Sequence, residues 1–79
     1  MTSKYIVYLY KGLEVIIIFS EVIQHSDIAK KLVESEDYVI SAGFIRLDFD
    51  NKLCCYGESI SLNKKSRPEK DSKLASVYL

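Results

Sequence analysis

His25 is the only histidine of the chain, and it stands in the tripeptide His25-Ser26-Asp27. Those are the residue types of a nucleophile relay. Adjacent positions diverge on a helix, so the three side chains cannot line up as one. The tripeptide reads instead as a helix start, with His25 or Ser26 as the cap and Asp27 in the first turn, where a carboxylate suits the helix dipole. Cys54 and Cys55 are the only cysteines. Strand neighbours point to opposite faces, so these two do not pair with each other and read as reduced thiols. A metal site wants about four ligands at loop-like spacing. One His and no CxxC do not supply it, so neither a metal nor another cofactor is expected. Cys55 is a candidate reactive thiol if His25 approaches it as a base; the plainer reading is a strand cysteine in the core. Asp48 and Asp50 flank Phe49 beside a turn and read as turn chemistry. Glu58-Ser59 after Gly57 matches neither GxSxG nor a phosphate loop, and reads as a strand bulge with a solvated carboxylate. The chain is not expected to be an enzyme.

Binding offers two further candidates. Lys64, Lys65, Arg67, Lys70 and Lys73 form the one basic concentration, diluted by Glu69 and Asp71. With Tyr8 and Tyr10 on a sheet face, the segment 64–73 could make phosphate contacts beside stacking rings, as a small nucleic-acid module does. No aromatic RNP signature is present, and a solvated helix start explains the same residues. The stronger hint is the first hairpin. Tyr8, Tyr10, Ile16 and Ile18 form a candidate interaction surface, because exposed apolar area with Tyr tips marks protein contact. The same surface could be covered by a second copy of the chain, so a homodimer is expected alongside a protein partner.

These residues must be placed by a small domain. The 79 residues make one domain, 1–79, with 48% apolar residues, six Tyr and three Phe. That suffices for a core, although a chain this short has a thin stability margin. Eleven Lys+Arg balance eleven Asp+Glu, so long-range attraction to nucleic acid or anionic membrane is weak and self-repulsion is small. No signal-peptide pattern is present, and Val15 to Phe19 is far shorter than the ~20 residues a membrane helix needs. A cytoplasmic protein without membrane contact is expected.

Lys4 to Tyr10 is rich in β-branched and aromatic residues and reads as a strand. Lys11-Gly12 is a turn, and Leu13 to Phe19 is the second strand. Both faces of this hairpin are apolar. A helix follows, with Ile28, Ala29, Leu32 and Val33 as its stripe, ended by the acidic cluster Glu34 to Asp37. Tyr38 to Phe49 is the third strand. Asp50-Asn51-Lys52 is a turn, and Leu53 to Leu62 is the fourth strand. Gly43 and Gly57 mark bulges or close backbone approaches. Asn63 to Ser66 is a linker. Ser66-Arg67-Pro68-Glu69 then matches a capping box, and Leu74, Val77 and Tyr78 share the face of a last helix. The expected fold is α+β in the order ββαββα: a four-stranded, mainly antiparallel sheet with both helices on one face.

The stretches SAGFIRLDFDNKLCCYGESISL and KSRPEKD resemble short uncharacterised open reading frames of bacterial phages, prophages and other mobile elements. In those, the SAGF strand, the CYG-S-SL strand and the SRPE-D helix start recur in this order. The resemblance implies an accessory protein that binds and modulates or inhibits a host or phage component, such as a defence or gene-expression factor. It carries no activity and no site residue. The neutral charge departs from the acidic pattern of DNA-mimic inhibitors.

Overall fold

A computed structural model describes residues 2–78. The chain runs β1 (Thr2–Tyr10), β2 (Leu13–Phe19), α1 (His25–Leu32), a 3-10 turn (Glu36–Tyr38), β3 (Val39–Leu47), β4 (Leu53–Tyr56), β5 (Glu58–Ser59), β6 (Lys64–Lys65) and α2 (Pro68–Tyr78). The main sheet is antiparallel in the order β2-β1-β3-β4, and β5-β6 form a separate small hairpin. The α+β class, the four-stranded antiparallel sheet and the two helices match the sequence-based expectation.

The first hairpin closes as its residues dictate. Lys11 and Gly12 both have positive φ, 52° and 79°, the conformation of a two-residue turn that follows strand twist. Pairing then runs without interruption from Tyr10↔Leu13 to Lys4↔Phe19. At the next turn the Asp48 carboxylate accepts the backbone N–H groups of Asp50 and Lys52, both at 2.9 Å, while Asn51 takes the left-handed position. Asp48 thus serves the turn, as expected for an Asx residue.

Placing both helices on one face is incorrect. Ile6 and Ala42 pack with Ala29 and Val33 beneath α1. Tyr5, Val7, Ile45 and Cys55 pack with Leu74 and Ala75 beneath α2. Ile6 alternates with Tyr5 and Val7 along β1, so the helices lie on opposite faces. The sheet is the middle of three layers. Its doubly apolar strands are accounted for within one chain, which removes the reason to expect a sheet-on-sheet homodimer.

Several boundaries also differ. Tyr38 belongs to the 3-10 turn, whose Asp37 N–H is capped by the Ser35 hydroxyl at 3.2 Å. The expected fourth strand breaks after Tyr56, because Gly57 turns with φ 76° and Glu58-Ser59 pairs with Lys64-Lys65 in the expected linker. At α2 the capping box fails. Pro68 is the first helical residue, and Asp71 rather than Glu69 reaches back, its Oδ2 accepting the Arg67 backbone N–H at 2.9 Å. The inner face of α2 is therefore Asp71 and Ala75, and Val77 and Tyr78 are exposed. The β1–β3 bulge falls at Val7/Tyr8, not at Gly43.

Candidate functional site

Tyr8 and Tyr10 alternate along the end of β1 on the α1 face, the face that Ile6 defines. Tyr8 rests partly against the core cluster of that face. Tyr10, beside the turn, is 55% exposed, with the Lys11 ammonium 5.4 Å from its ring centre. The end of α1 approaches from the other side. Val33 is buried there, while Leu32 is turned outward and 54% exposed. Tyr38, from the 3-10 turn, is 45% exposed. These residues, with Leu9, Gly12 and Glu34, line a groove of about 680 Å³. Its walls are aromatic and aliphatic, with Lys11 and Glu34 as opposite charges at the rim. Tyr8, Tyr10 and Tyr38 give the lining a composition common at protein contacts.

The four hairpin residues expected to share one surface do not. Cross-strand partners lie on one face, and Ile16 and Ile18 oppose Val7 and Tyr5 on the α2 side. Tyr8 and Tyr10 line the groove; Ile16 packs under α2. Sequence reasoning missed Leu32 and Tyr38. Leu32 fits the helical stripe and reads as core, and Tyr38 reads as strand. Only the path of the chain after α1 turns them toward Tyr10.

His25 is not a cap. Gln24 holds the cap position without a side-chain bond, and the Ser26 N–H is met by the Ser61 hydroxyl at 3.2 Å. The His25 ring is buried and donates from Nε2 to the Gly43 carbonyl at 2.8 Å. Its edge contacts with Phe19 and Phe44 have centroids 5.6 and 5.9 Å apart. Burial lowers its pKa from the ordinary value, so the neutral ring is the form that packs here. A shallower hollow of about 550 Å³ lies between His25, Lys4, Phe44 and Ile60.

Cys55 does not meet His25. Cys55 pairs with Ile45 on the α2 face, whereas Phe44, next to His25, points the other way. Burial pushes the Cys55 thiol up to about 11. At neutral pH it is therefore the unreactive protonated form. Cys54 is half-buried on the opposite face. No group of three or more metal-ligating side chains occurs among the described residues.

The basic segment is also not brought to the tyrosines. None of Lys64, Lys65, Arg67 or Lys70 lines the groove. Arg67 Nη2 is held by Glu14 at 2.7 Å and by Asp71 at 2.9 Å, and Lys70 lies close enough to lower the Glu14 pKa behind Arg67. Lys64 and Lys65 pair with Ser59 and Glu58 across β5-β6. No helix among the described residues is long and apolar enough to cross a membrane. Comparison of the chain with protein-family models, curated proteins and solved structures found no match.

Proposed function

We propose that this chain is a non-enzymatic binding module that holds a protein partner in the groove between the β1–β2 turn and the end of α1. The observation that carries this reading is the convergence of Tyr8, Tyr10, Leu32 and Tyr38 from three separate elements on one concave apolar site. Tyr supplies contact area with two rotatable side-chain bonds and a polar tip, which concentrates binding energy in few residues. The resemblance to phage and mobile-element reading frames makes the partner a host or phage component, and its modulation or inhibition the outcome. Work in the cytoplasm belongs to the same reading, supported by the free thiols of Cys54 and Cys55.

A second reading, nucleic-acid binding by Lys64, Lys65, Arg67 and Lys70, has less support because Arg67 is engaged by two carboxylates. Affinity purification of the tagged chain from its host, with and without nuclease, separates the two. A stoichiometric protein that survives nuclease supports the groove reading. Nucleic acid that co-elutes and disperses with salt supports the other. Against the recovered protein, Tyr10→Glu weakens binding by about thirtyfold or more, the loss of roughly 2 kcal/mol that an anchor residue carries. Unchanged affinity in both Tyr10→Glu and Tyr38→Glu would place the interface elsewhere.

A further inference from the structure

The main sheet has two edges, and the fold treats them differently. β4 is four residues long, and its Cys55 N–H is taken by the Ser72 hydroxyl of α2 at 2.9 Å. β2 is seven residues long and pairs regularly with β1 over its whole length. It contains no Pro and no Lys, and no bulge twists it away. Those are the devices by which edge strands avoid pairing with another chain.

The hairpin sets which backbone groups face outward. In a two-residue hairpin the closing pair, here Tyr10↔Leu13, exchanges both hydrogen bonds, and every second pair after it does the same. Val15, Ile17 and Phe19 therefore bond to β1. Glu14, Ile16 and Ile18 direct N–H and C=O away from it. The Glu14 carbonyl meets the Tyr78 hydroxyl at 3.4 Å. Among the described residues nothing meets the outward groups of Ile16 and Ile18. Val15 to Phe19 are five consecutive apolar residues, and none of them is fully buried, while Tyr5 to Val7 on the adjacent strand all are.

We propose that β2 is a strand-pairing edge and that its occupant is a second copy of this chain, with β2 antiparallel to β2 about a two-fold axis at Ile17. The strand is self-complementary in that register. Ile16 faces the second copy's Ile18, and each exchanges both backbone hydrogen bonds. Val15 faces Phe19, and Ile17 faces itself, so apolar meets apolar on both sides of the sheet. Glu14 falls opposite Ser20 rather than another carboxylate. Centring on Ile16 would instead oppose Glu14 to Ile18. The balanced charge of the chain opposes this pairing with no net repulsion. The result is one sheet running through both copies, with the helices still on its two faces. This pairing is independent of the tyrosine groove.

Sedimentation of the full chain across a range of concentrations gives a dimer. Ile18→Pro removes an outward N–H and no ladder bond within the chain. It retains the parent circular dichroism and weakens self-association roughly a hundredfold, since the two-fold repeats each lost bond. If Ile18→Pro fails to fold, Ile18→Lys, which sets an ammonium against Ile16, gives the same loss. Hydrogen exchange supplies a residue-level reading. The Ile16 and Ile18 amides are protected in the dimer and exchange freely on dilution, while those of Val15 and Ile17 stay protected throughout. A chain that stays monomeric at every concentration overturns the proposal. So does a dimer that Ile18→Lys leaves intact, or a monomer whose β2 amides become protected only on adding a foreign peptide.

Discussion

Asp71→Ala lowers the unfolding free energy by about 3 kcal/mol or more, the loss expected when one member of a buried charged network is deleted. The magnitude follows from where Asp71 sits. Its side chain is fully buried under α2. Tyr5 donates to Oδ2 at 2.5 Å, the Arg67 backbone N–H to the same oxygen at 2.9 Å, and Arg67 Nε to Oδ1 at 3.0 Å. Removing the carboxylate strands a buried phenol, uncaps the helix and leaves Arg67 with Glu14 alone. Domains of this size hold only about 5 kcal/mol or somewhat more, so the variant is close to unfolding. Urea titration checks it, with the midpoint falling at unchanged slope. A loss below about 1 kcal/mol would mean that water reaches Asp71. Asp71→Asn, which keeps an acceptor and the shape, loses less.

The same pair makes the fold alkali-sensitive. Burial and the neighbouring Asp71 carboxylate push the Tyr5 phenol well above the ordinary value of 10.0. Below that pH the phenol is protonated in both folded and unfolded chains, and its contribution is complete. As pH rises above it, the unfolded chain ionises and the folded chain does not, so stability falls. Chemical denaturation from pH 8 to 11.5 shows the decline; the Cys55 thiol, also raised by burial, contributes from about pH 9, and Tyr5→Phe reduces the slope above pH 10. An equal slope in Tyr5→Phe would assign the decline to other groups.

Gly43→Ala has the other large effect, and its sign decides between two arguments. Strand propensity alone makes Ala the better residue by about 0.5–1 kcal/mol. The packing says the reverse. A Cβ at position 43 would overlap the Tyr56 carbonyl oxygen and stand 3.2 Å from Ser66 Cβ. Backbone cannot rotate aside as a side-chain tip does, so β3 and β4 must separate. The expected loss is about 3 kcal/mol, the upper part of the overpacking range. The Gly43 carbonyl also accepts from His25, so the displacement carries into α1. Thermal unfolding measures it, and a Tm equal to or above that of the parent chain would refute the steric argument.

The parts of this fold that were legible in the sequence are those written in short-range chemistry. Lys11-Gly12 and Asp48 to Lys52 specify their turns within a few residues, and the β-branched and aromatic runs on either side specify strands. Antiparallel pairing of β1 with β2, and of β3 with β4, follows from those turns. Gly43 was recognisable as a bulge or a close approach, since glycine in a strand interior marks one or the other, and the structure makes it the latter.

What lies across the sheet from what was decided only by the tertiary path. The strands are apolar on both faces, so alternation could not say which side each helix covers, and the answer proved to be one on each. That choice splits Tyr8 and Tyr10 from Ile16 and Ile18, parts His25 from Cys55, and gathers Leu32 and Tyr38 into the groove. Asp71 shows the limit most plainly. A carboxylate on a helix rich in charge reads as solvated, although helical spacing sets Asp71, unlike Glu69, on the side of Leu74 and Ala75. It is buried because Tyr5, 66 positions away, offers a hydroxyl beneath it, and Arg67 offers the charge that a buried carboxylate needs. Turns and periodicity are properties of neighbouring residues and are settled along the chain. The burial of a polar group depends on a partner that only folding brings near.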